Sequence, residues 1–133
     1  MDNYQDFTVT VLLFNEEGKI LSVSRKDDHT KFGLIGGKVD EIDNSLEDAA
    51  IRECYEETSL SITNLRKVFT YMNENSGRTG TTFMAEYTGI IGLELSPKET
   101  GIIKWLTFEE LKSGPFGKYN EALELHLKSN NII

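Results

Sequence analysis

Three carboxylates and a guanidinium stand within six residues, Arg52-Glu53-Cys54-Tyr55-Glu56-Glu57. Residues three and four apart share one face of a helix, so Glu53, Glu56 and Glu57 project together if this segment is helical. Exposed like charges at that spacing repel by roughly 0.2–0.5 kcal/mol per pair. A hard divalent cation reverses the sign of that interaction. Mg²⁺ takes oxygen ligands, keeps several waters and bridges protein carboxylates to substrate phosphates. Arg52 can hold one of the glutamates through a paired hydrogen bond. On these six residues alone two readings stay open: a solvated acidic helix face, the commoner fate of such a turn, or a cation site that meets phosphate.

The flanking sequence supplies elements to position these groups. Ser45 to Thr58 reads as a helix: Ser45 is a capping residue, Asp48 follows three positions later, and no Gly or Pro interrupts the run. Leu46, Ala50 and Cys54 recur every fourth residue and mark its buried stripe, with Cys54 read as a small buried hydrophobe. Before it, Phe32-Gly33-Leu34-Ile35-Gly36-Gly37-Lys38-Val39 is short, apolar and glycine-rich, a strand that ends where backbone passes close to something. Phe7 to Phe14 and Lys19 to Ser24 read as strands joined by the turn Asn15-Glu16-Glu17-Gly18, together a hairpin. Ile62 to Tyr71, Thr81 to Ile91 and Ile102 to Leu106 are three further strands, and residues 73–78 a polar loop. Thr107 caps a short helix and Tyr119 to Lys128 forms the last one. Strands mixed with three helices predict an α/β fold, helices packed on a central sheet.

Gly36-Gly37-Lys38-Val39-Asp40, a loop, and Ser45 to Leu60 together resemble the Nudix box of the Nudix hydrolase family, over about 25 residues. The Arg-Glu-x-x-Glu-Glu core is intact, Ala49-Ala50-Ile51 before it is family-like, and Trp105-Leu106-Thr107 with Glu109-Glu110-Leu111 is similar to the family's closing strand and short helix. Two positions depart from the pattern, which is a glycine, five residues, a glutamate, seven residues and then the core. Asn44 stands where seven residues would separate the glutamate from Arg52, and counting from Gly37 reaches Asp43 instead. The loop is one residue longer, with Asp43 as the available substitute. Ser59 replaces the glycine that usually ends the helix in a left-handed turn.

The resemblance implies a Nudix-like α/β/α sandwich, a mixed central sheet with helices on both faces, as one domain over residues 1–133. It implies Mg²⁺, with Mn²⁺ as an alternative, at Glu53, Glu56, Glu57 and Gly37. It further implies hydrolysis of a nucleoside diphosphate linked to another group, with Arg52, Glu53, Glu56 and Glu57 in the catalytic set. Nucleoside triphosphates are the first expected substrate; nucleotide sugars and dinucleoside polyphosphates are open. Arg25 and Lys38 are candidate phosphate contacts and Phe32 a candidate base-stacking ring, each weighed against surface cation or core packing. Glu99, six residues before Trp105, is the candidate for the remaining acid, with Glu94 its rival. A non-catalytic nucleotide-binding module is the alternative, supported by Asn44 and Ser59.

Composition agrees. The chain has 133 residues, 38% of them apolar, enough for one core. Its net charge of −8 and its lack of a basic stripe argue against a duplex nucleic-acid partner. No signal peptide or membrane span is read at the N-terminus. A single cysteine rules out an intramolecular disulfide and suits a cytoplasmic protein. His29 and His126 have no ligand spacing, and nothing in the pattern sets an oligomeric state.

Overall fold

A computed structural model of the chain describes residues 6–73, 76–92 and 101–133. Among these residues six strands form one sheet: β1 (Phe7–Leu12), β2 (Ile20–Ser24), β3 (Phe32–Lys38), β4 (Ser61–Met72), β5 (Thr79–Thr88) and β6 (Ile103–Leu106), in the order β4-β5-β1-β3-β2-β6. β1 runs parallel to β5 and every other neighbouring pair is antiparallel, so the sheet is mixed.

The two-residue period of the strands sends side chains to two opposed cores. Val9, Val11, Leu21, Val23 and Ile35 pack with Ala49, Ala50 and Cys54 of helix α1 (Leu46–Thr58). Leu12, Ile20 and Leu34 face the other way, against Leu111 of α2 (Phe108–Lys112) and Leu123 and Leu127 of α3 (Gly117–Ser129). Helices therefore cover both faces, the α/β/α sandwich that the resemblance implied.

The expected hairpin closes only at its tip. Gly18 turns with φ +77° and donates to the Asn15 carbonyl at 3.0 Å, and Leu21 N–H donates to Leu13 O at 3.0 Å. Beyond that point the two strands part and β3 enters between them. Lys38 to Ile35 pair with Thr8 to Val11 on one side, and Leu34 to Phe32 pair with Ser22 to Ser24 on the other. Gly36 makes the insertion possible: a Cβ there would sit 2.0 Å from Val9 O.

Helix α1 begins as its sequence predicts. The Ser45 hydroxyl accepts from Asp48 N–H at 3.0 Å. Ala49, Ala50, Cys54 and Thr58 form its buried stripe, with Leu46 partly buried beside them. It ends on Ser59, which adopts the left-handed conformation (φ 66°, ψ 10°) and donates its N–H to Tyr55 O at 2.9 Å. Serine thus occupies the turn that the family pattern gives to glycine, at a steric cost of roughly 1 kcal/mol. On the far face Thr107 and Glu110 form a reciprocal capping box for α2, and Lys112 binds Glu124 of α3 at 2.7 Å.

Candidate active site

Helix α1 lays its glutamates along the end of β3. Glu53 rests its carboxylate on Gly37: a Cβ at that position would fall 2.6 Å from Glu53 Cδ. Any side chain at residue 37 would displace the carboxylate. One turn later, Glu57 Oε1 accepts the Gly36 N–H at 2.8 Å. The glycine pair therefore serves two purposes, strand insertion at Gly36 and a seat for a carboxylate at Gly37.

Crowding and burial set the charge state of this pair. Burial pushes the Glu57 carboxyl up to about 8; the Gly36 N–H opposes that rise, and the charges of Glu53 and Glu56 add to it. Burial also raises Glu53, against the pull of Arg52. Desolvation is the main cause of both shifts, with the neighbouring carboxylates adding to it.

Arg52 organises the rim. Its Nε and Nη2 donate to Asp43 Oδ1 and Oδ2 at 2.9 and 2.8 Å, Nη1 donates to Glu53 Oε1 at 3.1 Å and Glu56 Oε1 at 2.7 Å, and Nη2 also reaches Lys38 O at 3.2 Å. Asp43 is 4% exposed and takes a further bond from Asp40 N–H at 2.8 Å. The longer loop thus delivers Asp43, while Asn44 stays exposed.

The four α1 residues and Gly37 come together at one place. As they stand, the carboxylates do not close into a cage: Glu53 and Glu56 turn to Arg52, and among the described residues no three His, Cys, Asp or Glu side chains converge as metal ligands. The donor set nonetheless fits Mg²⁺, which takes one or two carboxylates together with waters and phosphate oxygens rather than a protein cage.

The other candidates lie apart. Arg25 is exposed and forks onto Asp27 at 2.9 and 3.0 Å. Lys38 is exposed and contributes its carbonyl to Arg52. Phe32 begins β3, at the end remote from the glutamates, with Lys104 Nζ 5.4 Å from its ring centroid. Glu99 and Glu94 lie outside the described residues, and the chain resumes at Gly101, pressed against Ser24 O at the end of β2. Lys26 was not singled out in the sequence, yet its charge acts on Glu57. No strand period could single it out, because β2 ends at Ser24 and both Arg25 and Lys26 lie in the loop beyond it.

A glycine-seated strand end beneath an Arg-Glu-x-x-Glu-Glu helix, inside a mixed-sheet sandwich, defines a class. The NUDIX domain model matches residues 5–125, and the chain belongs to that family. A MutT-like protein of Streptomyces ambofaciens is 30% identical over 104 residues, which is 78% of this chain and 65% of that protein; the chain thus spans just under two thirds of this relative. Among solved structures, an ADP-ribose pyrophosphatase of Streptococcus suis superposes with a TM-score of 0.73 at 25% identity, over 95% of this chain and 92% of that one. The NUDIX domain of Shewanella oneidensis NrtR, complexed with ADP ribose, shares the fold with a TM-score of 0.72 at 20% identity, over 97% and 90% of the two chains.

Proposed function

We propose that this chain is a metal-dependent pyrophosphohydrolase that cleaves a nucleoside diphosphate linked to another group. The observation that carries the reading is the pair of carboxylates, Glu53 over Gly37 and Glu57 on Gly36 N–H, held on one helix face against the glycine-seated end of β3. Glu53, Glu56 and Glu57, with the backbone at Gly37, would hold Mg²⁺ or Mn²⁺. When bound, the cation offsets phosphate charge and acidifies the attacking water.

The chain's own groups then have separate tasks. Arg52 keeps Glu53 and Glu56 aligned. Lys38 and Arg25, both exposed, are proposed as contacts for the outer phosphates, Arg25 after release from Asp27. Phe32 offers a ring for the base. Glu99 takes the proton as water oxygen bonds to phosphorus and the bridging oxygen departs with its electron pair. The departures at Asn44 and Ser59, which favour the alternative of a binding module, leave the frame of the site in place, since Asp43 supplies the partner for Arg52 and Ser59 still ends the helix in a left-handed turn.

Nucleoside triphosphates are the first proposed substrates, on the small size of the domain; ADP-ribose is the second, on the Streptococcus suis neighbour. No helix among the described residues is long and apolar enough to cross a membrane. The buried free thiol of Cys54 suits the cytoplasm. A screen over nucleoside triphosphates, nucleotide sugars, ADP-ribose and dinucleoside polyphosphates tests the reading, with inorganic pyrophosphatase added for the triphosphates and alkaline phosphatase for the substrates without a terminal phosphate, so that the products yield measurable phosphate. Mg²⁺, Mn²⁺ and EDTA arms should show turnover only with metal, and absence of turnover on every compound would refute it.

A further inference from the structure

Strands β2 and β6 run antiparallel, and Val23 and Ile103 are the last partners of their ladder. One step further, Ser24 and Ile102 exchange two hydrogen bonds, but not the usual backbone pair. Ser24 N–H donates to Ile102 O at 2.9 Å, whereas Ile102 N–H donates to Ser24 Oγ at 2.8 Å. The side chain stands in for its own carbonyl, and its hydroxyl donates to Arg25 O at 3.1 Å. The Ser24 carbonyl meets Gly101 instead: a Cβ on Gly101 would fall 2.0 Å from that oxygen. Ser24 is 5% exposed and Gly101 is buried, so the contacts are shielded from water.

This clamp fixes the chain just after Glu99. Glu99 lies outside the described residues, yet its covalent tether is short: two residues of chain span at most about 7 Å. Fixing Gly101 therefore confines Glu99. Glu94 stands seven residues from the clamp, about 24 Å of chain, and is not confined by it. Phe32, the β3 partner of Ser24, lies four residues before Gly36, about 13 Å along the strand, and Gly36 N–H holds Glu57. The charge of Lys26, two residues beyond Ser24, acts on Glu57. The tether, the Glu99 side chain and one water span this gap with little slack, so the place of the anchor decides where the carboxylate falls.

We propose that Ser24 is a positioning residue for the hydrolysis: by taking Ile102 N–H on its side chain and seating Gly101 on its carbonyl, it holds Glu99 at the attacking water. Ser24 itself touches neither substrate nor metal. The proposal rests on the reading that the chain is a hydrolase with Glu99 as its base.

The test measures kcat and KM with Mg²⁺, on the nucleotide panel above, for the parent, Ser24→Ala, Ser24→Thr, Glu99→Gln and the double variant Ser24→Ala/Glu99→Gln. Calorimetric binding of α,β-methylene ATP is measured alongside. Ser24→Ala should lower kcat by about tenfold or more, because a misplacement of about 1 Å can cost about 100-fold, with KM and Kd within about twofold of the parent. Ser24→Thr keeps the hydroxyl and should stay near the parent. In the Glu99→Gln background Ser24→Ala should cost nothing further, because groups that act as one unit are not additive. Unchanged kcat in Ser24→Ala, or an equal fall in both backgrounds, overturns the proposal and leaves the hydrolase reading intact. A Glu99→Gln variant that turns over like the parent overturns it as well. If Ser24→Ala fails to fold, a glycine inserted after Thr100 keeps the clamp and lengthens the tether; it should lower kcat, and a parent-like rate overturns the proposal. Absence of turnover in the parent refutes the hydrolase, and the role of Ser24 with it.

Discussion

Arg52 grips Asp43 through two parallel hydrogen bonds, Nε to Oδ1 at 2.9 Å and Nη2 to Oδ2 at 2.8 Å. The pair bridges the loop before α1 to the helix itself, and leaves Nη1 for Glu53 and Glu56. Because Asp43 is 4% exposed, removing it takes the carboxylate from Nε and Nη2, while Nη1 keeps Glu53 and Glu56.

Asp43→Ala should therefore destabilise the chain by about 1–2 kcal/mol, the loss of charged hydrogen bonds at a partly open site. Asn44→Glu, at an exposed position, should change stability by less than about 0.5 kcal/mol and leave turnover near the parent value. Urea unfolding of the two variants checks the contrast; equal effects would mean that Asp43 is not the supporting acid.

The same pair predicts an acid limb. Arg52 holds the Asp43 carboxyl below the usual carboxylate range. A lowered folded-state value contributes stability above the unfolded pKa, near 4, and loses it as pH falls through the folded value. As pH falls below about 4, the parent should lose more stability than Asp43→Asn, a difference that unfolding titrations at stepped pH would read.

Glu57 gives the opposite sign. Its folded value of about 8 lies above that of an unfolded glutamate, so the stability linked to its protonated form is present at low pH and lost as pH rises through 8. In EDTA, the melting temperature of the parent should fall as pH rises from about 5 and level off once pH passes about 8, and Glu57→Gln should flatten that fall. Added Mg²⁺ should stabilise the parent more at the alkaline end, because the ligand must lose its proton. Turnover of Glu57→Gln should drop by about 100-fold or more. A variant that works at the parent rate under limiting Mg²⁺ would remove Glu57 from the site.

Ser59→Gly should relieve the left-handed turn. The expected gain is about 0.5–1 kcal/mol, a rise of roughly 2–4 °C in Tm, with kcat/KM unchanged. Differential scanning calorimetry would show it, and a lower Tm would mean that the serine side chain contributes more than its backbone costs.

Glu99→Gln should bind substrate nearly as the parent does and turn over far more slowly, while Glu94→Gln stays close to the parent. Steady-state kinetics on both variants decide between the two acids: a crippled Glu94→Gln beside a normal Glu99→Gln would transfer the role.

What the sequence determined by itself is local. A 3.6-residue period puts Glu53, Glu56 and Glu57 on one face, Ser45 caps their helix, and a glycine pair calls for close backbone approach; each follows from neighbours within a turn or two. The tertiary structure decided the rest. Whether β1 pairs with β2 or admits β3 depends on which strand edges are free, and residues 7–24 carry no information about that. Which of Asp43 and Asn44 meets Arg52 depends on how a loop one residue longer folds back onto Asp40 N–H. A hydroxyl cluster joins residues 10, 82 and 119, from two strands and a helix. No period in the chain relates those positions; only strand register and helix docking bring them within a hydrogen bond of one another.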